Sequence, residues 1–426
     1  MIVPIIVKLL TSLAVIILLN KLMKNLPVSL LGGSLVFAFW IGLSPLQFLT
    51  VAADRVVTLS NLTLIILVCL VLTLSGQMKK NGLVEELVTS IRGTFSSKAS
   101  LAILPAVIGL LPMPGGALFS APLLDNFDNL PGVNQENKTR INYWFRHVWE
   151  YAWPLYPGII LACDIAGIEL WMAFLVGLPV SFVAILTGSF VFLSKIPKET
   201  KEDKIKRNSN RHFSIIPFLP IITVVIIFFI IQFFIPSIGN GNQYLPMVIS
   251  LTISIVTVQI IRPLSGKSWK KLLLSKHMLN MAILIVMVRI YGAFIETDLN
   301  GITVVQMMTD EMQSFGIPAL PLIILLPFIS GMTMGISVGF AGASIPVVVA
   351  TLGNNPSLGL LLSTVMFAYT CGFMGTMLSP LHVCLIVTCD YYESGFIKAL
   401  RSIIFPAVLM MGFAFSYMQL LQWIIP

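Results

Sequence analysis

Apolar stretches long enough to cross a bilayer recur along this chain from Ile2 to Ile425, and nothing else in the sequence limits the fold as strongly. About 17 or more apolar residues in a helix span a hydrocarbon core of roughly 30 Å, and lipid accepts only spanning structures whose backbone polar groups are satisfied internally. Composition agrees. Of the 426 residues, 57% are hydrophobic and 10% charged, against about 25% charged in a soluble domain, which excludes a soluble globular protein. No hydrophilic segment is long enough to be a second domain. The N-terminal apolar run has no small-residue cleavage site and is interrupted by Lys8, which predicts a retained helix rather than a signal peptide. The five cysteines, Cys69, Cys163, Cys371, Cys384 and Cys389, lie in apolar stretches without C-x-x-C or Cys/His spacing. They read as small buried hydrophobes, with no metal site, cofactor or disulfide framework expected.

An all-α polytopic membrane protein of about ten transmembrane helices follows from the hydropathy. The expected spans are Ile2 to Asn20, Leu26 to Leu43, Leu62 to Gln77, Asn142 to Ile168, Leu170 to Leu193, Phe213 to Ile235, Leu245 to Ile261, Met278 to Ile295, Ser357 to Tyr391 and Ile403 to Ile425. Two further apolar stretches, Leu101 to Asp125 and Pro318 to Leu352, are interrupted by Pro, Gly and Ser and read as re-entrant hairpins. Lys and Arg accumulate in cytoplasmic loops, which tests that reading. With both stretches turning back, one side of the membrane collects Lys21 and Lys24; Lys79, Lys80, Arg92 and Lys98; Lys138 and Arg140; the run from Lys195 to Arg211; Arg262 to Lys276; and Lys398 and Arg401, the exceptions being Lys8, Arg55 and Arg289, with Arg146 somewhat below the inner surface. Glu169, Glu296, Asp298, Asp310 and Glu311 mark the other side. If either hairpin crossed as a single span, this segregation would collapse. The protein is thus expected in the cytoplasmic (inner) membrane with both termini outside. Its basic linker points to topology and anionic lipid rather than nucleic acid.

The chain divides into 1–194, a linker at 195–212, and 213–426, each half laid out as three spans, a hairpin and two spans. Gly115, Ala117, Ser120 and Pro122 in the first hairpin form the string G-x-A-x-x-S-x-P that Gly339, Ala341, Ser344 and Pro346 repeat in the second. After each hairpin comes a long span with a broken middle, where Pro154, Leu155, Ile160, Cys163 and Asp164 match Pro380, Leu381, Ile386, Cys389 and Asp390 at one constant offset. Five spans and a linker per half put the halves in opposite orientations. Such an inverted-topology repeat, with interrupted helices in corresponding positions, is the signature of secondary transporters that hold substrate near the midplane. Exposed backbone is tolerated in a membrane where it faces protein or a wet cavity, so the breaks locate the cavity. Half-helix N-termini there offer N–H groups and a positive dipole end to an anion.

Candidate substrate-binding residues are those at the breaks: Pro114, Gly115, Gly116 and Ser120 in the first hairpin; Gly339, Gly342 and Ser344 in the second; Tyr156, Pro157 and Gly158 in the first broken span; and Gly375, Thr376 and Ser379 in the second. Small-residue helix packing is the alternative for the glycines. Ionisable residues inside a membrane cost about 2.5–3.5 kcal/mol on insertion scales and so require a reason. Arg146, His147 and Glu150 share one span as R-H-x-x-E and are the candidate ion-coupling group, a structural ion pair being the alternative. Arg289 is a candidate contact for an anionic substrate. His382 is expected in packing or hydrogen bonding, and Asp164 and Asp390 as caps of the segments that follow them.

The strings L-L-P-M-P-G-G-A-L-F-S-A-P (Leu110 to Pro122) and N-Y-W-F-R-H-V-W-E-Y-A-W-P-L-Y-P-G (Asn142 to Gly158) resemble the signature of a prokaryotic family of integral membrane proteins of unknown function. That family is grouped with the ion transporter superfamily of gluconate permeases, citrate carriers and dicarboxylate/sodium symporters. The resemblance covers essentially the whole chain. It implies a scaffold domain that forms homodimers and a transport domain of hairpins and broken helices that moves as an elevator. The Ser-Asn-Thr sodium signature of the dicarboxylate symporters is not found; at the hairpins only Ser120 and Ser344 remain.

Together these features predict a non-enzymatic, ion-coupled secondary transporter of a small organic anion, driven by a proton or sodium gradient. An inorganic ion/proton antiporter is the alternative, since Ser, Thr, Asp and carbonyl oxygens also suit cations. An intramembrane enzyme is a further one, against which stand the lack of H-E-x-x-H and G-x-S-x-G motifs and the placement of Asp164 and Asp390 near opposite surfaces.

Overall fold

A computed structural model describes residues 3–112, 116–127, 132–194, 196, 214–299, 301–316, 318–353 and 355–425. Pro114, Gly115 and, apart from Ile196, the linker at 195–212 lie outside these residues. The described chain is nearly all helical. Its one sheet is an antiparallel pair, β1 (Asp298–Leu299) and β2 (Ile302–Thr303), with Asp298 opposite Thr303.

The first half contains α1 (Ile5–Met23), α2 (Leu26–Trp40), α3 (Pro45–Val56), α4 (Leu59–Lys80), α5 (Leu83–Thr94), α6 (Ser97–Gly109), α7 (Ala117–Ser120), α8 (Gln135–Phe145), α9 (Pro157–Ala166) and α10 (Leu170–Gly188). The second contains α11 (Leu219–Phe234), α12 (Leu245–Ile261), α13 (Gly266–Leu273), α14 (Lys276–Ile295), α15 (Val304–Ser314), α16 (Ala319–Met334), α17 (Ser337–Ala350), α18 (Leu358–Met377), α19 (Val383–Tyr391) and α20 (Phe396–Ile424). Local chemistry sets many of the ends. Asn25 accepts from the Val28 N–H to start α2, and Ser44 and Gln47 close a capping box on α3. Lys79 and Lys80 complement the dipole in the last turn of α4.

Among the described residues seven helices are long and apolar enough to cross a membrane: α1, α4, α18 and α20, α10 with its π-helical extension Ser189–Leu193, α11 with the short turn before it, and α14 joined to α13. The peripheral spans turn bulky apolar side chains outward, among them Phe190, Phe234, Ile260 and Trp423, as a lipid-facing surface requires. By contrast α18 is enclosed on all sides, with 83% of its apolar window buried. Its closest neighbour is α16, and the two helices meet backbone to backbone. A Cβ on Gly331 would collide with the Gly372 carbonyl, and one on Gly375 with the Phe328 carbonyl, so glycine permits the close crossing.

The broken spans expected from the prolines are broken. Asn142 to Ile168 is not one helix: α8 ends at Phe145, a run of turns follows, and α9 begins at Pro157. Likewise α18 stops at Met377 and α19 restarts at Val383, after Pro380. In the second Gly-rich stretch, α16 and α17 pack against each other across Gly335 and Ile336. With 16 and 14 residues, each is about 21–24 Å long, short of a bilayer core. Gly335 ends α16 in the left-handed conformation at φ 70°, which favours glycine. The helices α3, α5, α13 and α15 are short, with one polar face, and so leave no bilayer-length apolar run in the sequence.

Candidate functional site

A cavity of about 300 Å³ lies where the two broken spans meet the two Gly-rich segments. The first Gly-rich segment contributes Pro112 and the first broken span Arg146, His147, Glu150, Tyr156 and Pro157. The turn between α16 and α17 contributes Gly335 to Val338, and the second broken span His382, Val383 and Cys384. Leu72 on α4 and His277 and Met281 on α14 close the remaining side.

Three helices begin at this cavity. The first residues of α9, α17 and α19, namely Pro157, Ser337 and Val383, all line it, and none of their N-cap residues, Tyr156, Ile336 and His382, supplies a side-chain cap. The leading N–H groups of a helix have no partner within it, and each N-terminus carries a partial positive charge. Three such ends and Arg146 bring positive charge to the cavity wall, facing the carboxyl group of Glu150.

Two histidines face each other across it. The Nε2 atoms of His147 and His382 are 3.2 Å apart. Each ring is held from behind, His147 Nδ1 by the Tyr143 carbonyl at 2.6 Å and His382 Nδ1 by the Gly335 carbonyl at 2.6 Å. Cys384 joins them, the nearest ligand atoms of the three residues lying within 4.8 Å of one another. Glu150 Oε1 is 3.9 Å from His147 Nε2; residues three apart adjoin in these turns as they do in a helix. The Arg146 guanidinium lies over Gly116, where a Cβ would collide with it, and the Arg146 carbonyl occupies the space beside Gly109. The Tyr156 hydroxyl donates to the Gly109 carbonyl, so the first broken span is fastened to the end of α6.

The other described candidates do not line this cavity. Gly158 packs against Ser337 and Tyr369, Gly339 against Met334 and Leu26, and Gly342 against Val288 of α14. The hydroxyls of Ser120, Ser344 and Thr376 donate to carbonyls of their own helical turns, those of Gly116, Phe340 and Gly372. The Ser379 hydroxyl accepts from the Leu381 N–H in the second break. Arg289 donates from Nη1 to Asp164 Oδ2 at 2.5 Å, and Tyr244 donates to the other carboxylate oxygen. Asp164 therefore does not cap the next helix. α9 ends on Gly167 in a left-handed turn and α10 starts from Glu169, which leaves the carboxylate turned toward α12 and α14. Asp390, its counterpart in the second half, is exposed.

Ser337 at the second Gly-rich turn and His382 in the second break also line the cavity, as do Cys384 and His277, which nothing in the sequence marks for it. The H-x-C pair at His382 and Cys384 corrects the expectation that no cysteine has a Cys/His spacing. Its approach to His147, 235 residues away, is not visible in the sequence.

No curated protein matches the chain. Among solved structures, the YdaH transporter of Alcanivorax borkumensis, reported to have an unusual topology, aligns over 89% of this chain and 88% of its own with a TM-score of 0.55 at 13% sequence identity. At that identity the likeness concerns the fold alone. A family model described as a protein of unknown function, DUF401, matches residues 6–421, and the chain belongs to that family.

Proposed function

We propose that this protein is an ion-coupled secondary active transporter that carries a small organic anion, carboxylate-like in charge, across the cytoplasmic membrane by alternating access. The observation that carries the reading is the convergence of three helix N-termini without side-chain caps on one cavity, beside Arg146. The cavity's volume of about 300 Å³ is at the small end of ligand sites. The reading takes the chain as two inverted repeats, 1–194 and 213–426, whose Gly-rich segments are re-entrant hairpins. The hairpins and broken spans move together against a scaffold, in elevator fashion. Arg146, His147 and Glu150 face the cavity, so a coupling proton or sodium ion would meet the substrate there.

An adjoining cavity of about 760 Å³ shares His277, Met281, Ile336 and Val383 with the first and is also lined by Lys24 and Lys276. Both lysines are on the side assigned to the cytoplasm by the charge pattern, so this second cavity is read as the inner vestibule.

Proteoliposomes containing the purified protein, with imposed proton and sodium gradients, test the proposal against a panel of mono-, di- and tricarboxylates. Gradient-dependent uptake of at least one is expected. If none enters and none raises the melting temperature of the protein, the anion reading fails.

A further inference from the structure

The geometry points to a binding site for one zinc-class transition-metal cation, with His147 Nε2, His382 Nε2 and Cys384 Sγ as ligands. This site goes beyond the anion-transport reading and does not depend on it.

The orientation of the two rings is the first reason. A backbone carbonyl only accepts hydrogen bonds, so the contacts of His147 Nδ1 with Tyr143 O and of His382 Nδ1 with Gly335 O place a hydrogen on each Nδ1. In the neutral rings the Nε2 atoms then carry lone pairs, and these point at each other across 3.2 Å. Lone pairs in that position repel unless something electropositive lies between them. The Cys384 thiol has a single hydrogen and can satisfy at most one of them, whereas a cation bound to both nitrogens and the sulfur satisfies all three. An Nδ1–H anchored on a backbone carbonyl with Nε2 turned inward is also the usual second shell of a metal-bound histidine.

Distance is the second reason. Two imidazoles on tetrahedral zinc, with Zn–N near 2.0–2.1 Å, have nitrogens about 3.3 Å apart, and the pair observed is at 3.2 Å. The Cys384 sulfur lies within 4.8 Å of a ring nitrogen of each histidine, and a Zn–S bond near 2.3 Å implies a separation of about 3.6 Å. Two nitrogens and a thiolate suit zinc, cobalt or copper(I) rather than magnesium or calcium. Binding releases the thiol proton to solvent. Glu150 Oε1, 3.9 Å from His147 Nε2, places a carboxyl group beside the three ligands. The ligands come from both halves of the chain, so the metal would tie the first broken span to the second.

The test uses the purified full chain, stripped with chelator and titrated with cobalt(II) as an optical probe and with zinc by equilibrium dialysis. One metal per chain is expected, with a thiolate-to-cobalt charge-transfer band in the near ultraviolet. Cys384→Ser should abolish the band while Cys389→Ser retains it, and His382→Ala should weaken binding by more than the roughly 10–100-fold that follows loss of an outer-shell partner. A second measurement needs no variant: zinc should protect Cys384, and not Cys389, from alkylation in the wild-type protein. Absence of the charge-transfer band in folded wild-type protein, or a Cys384 alkylation rate unchanged by zinc, overturns the site and leaves a shared proton as the bridge between the histidines.

Discussion

Replacing Arg289 by methionine separates two roles for this buried cation, as partner of Asp164 or as contact for a transported anion. Its guanidinium is 2.5 Å from Asp164 Oδ2, the two side chains are 11% and 3% exposed, and the Tyr244 hydroxyl completes the group. Removing one member of a buried pair costs about 3–5 kcal/mol, chiefly because the remaining charge is stranded, whereas replacing both by apolar groups of similar volume is close to neutral. For a chain of 426 residues an unfolding entropy of about 2.1 cal/mol/K per residue gives roughly 0.9 kcal/mol/K. Arg289→Met should therefore lower the melting temperature by about 3–6 °C. Asp164→Leu should do the same, and the double variant should melt close to wild type. The assay is size-exclusion chromatography of heated, detergent-solubilised protein, paired with carboxylate uptake in proteoliposomes. Stability that returns in the double variant without uptake would assign Arg289 to the substrate as well. The pair reasoning is refuted if Arg289→Met melts with wild type, or if the double variant loses the sum of the two single losses.

Glu150 is the one acidic side chain among the described residues that line the cavity. Glu150→Gln is expected to abolish uptake driven by an imposed cation gradient while substrate exchange persists; gradient-driven uptake at the wild-type rate removes Glu150 from coupling. Gly331→Ala places a methyl group on the Gly372 carbonyl, an overpacking worth about 1–3 kcal/mol, and should lower the melting temperature, whereas Gly412→Ala, which points into open space, should not. Lys24→Glu and Lys276→Glu reverse charges beside the wider cavity and should raise KM for an anionic substrate more at low than at high ionic strength. An unchanged KM at low salt would show that these lysines do not steer it.

Local chemistry made part of this arrangement legible in the sequence. Pro154, Pro157 and Pro380 mark the breaks because proline lacks an N–H and clashes with the preceding turn, although Pro105, Pro179, Pro327, Pro346 and Pro406 are accommodated inside helices. Both breaks were therefore readable without any tertiary information, and Arg146, His147, Glu150, Tyr156 and Pro157 stood out as polar or helix-breaking residues in an apolar setting. The rest depends on distance in the chain. Asp164 and Arg289 are 125 residues apart, and nothing near Asp164 distinguishes a capping carboxylate from one that turns inward to an arginine. Gly375 and Gly331 are equally ambiguous in sequence, since a glycine that admits a ligand and one that admits a neighbouring backbone are chemically the same residue. Cys384 read as a buried hydrophobe because its spacing to His147 is set by folding alone.

How the chain ends its helices links the fold to the proposed anion site. Side chains cap many of the starts: Thr58 on α4, Ser96 on α6, Asn134 on α8, Ser265 on α13, Ser275 on α14, Thr303 on α15 and Ser357 on α18. Some starts without such a cap, at Pro318 and Gly395, are exposed. The three at the cavity begin from Tyr156, Ile336 and His382, where a serine or aspartate would have served a purely structural helix better, by about 0.5–2 kcal/mol each. At membrane depth an unsatisfied backbone group costs several kcal/mol unless it faces protein or a polar cavity. These three donor ends face one small cavity, so their leading N–H groups lie where a ligand, rather than a side chain, would complete them.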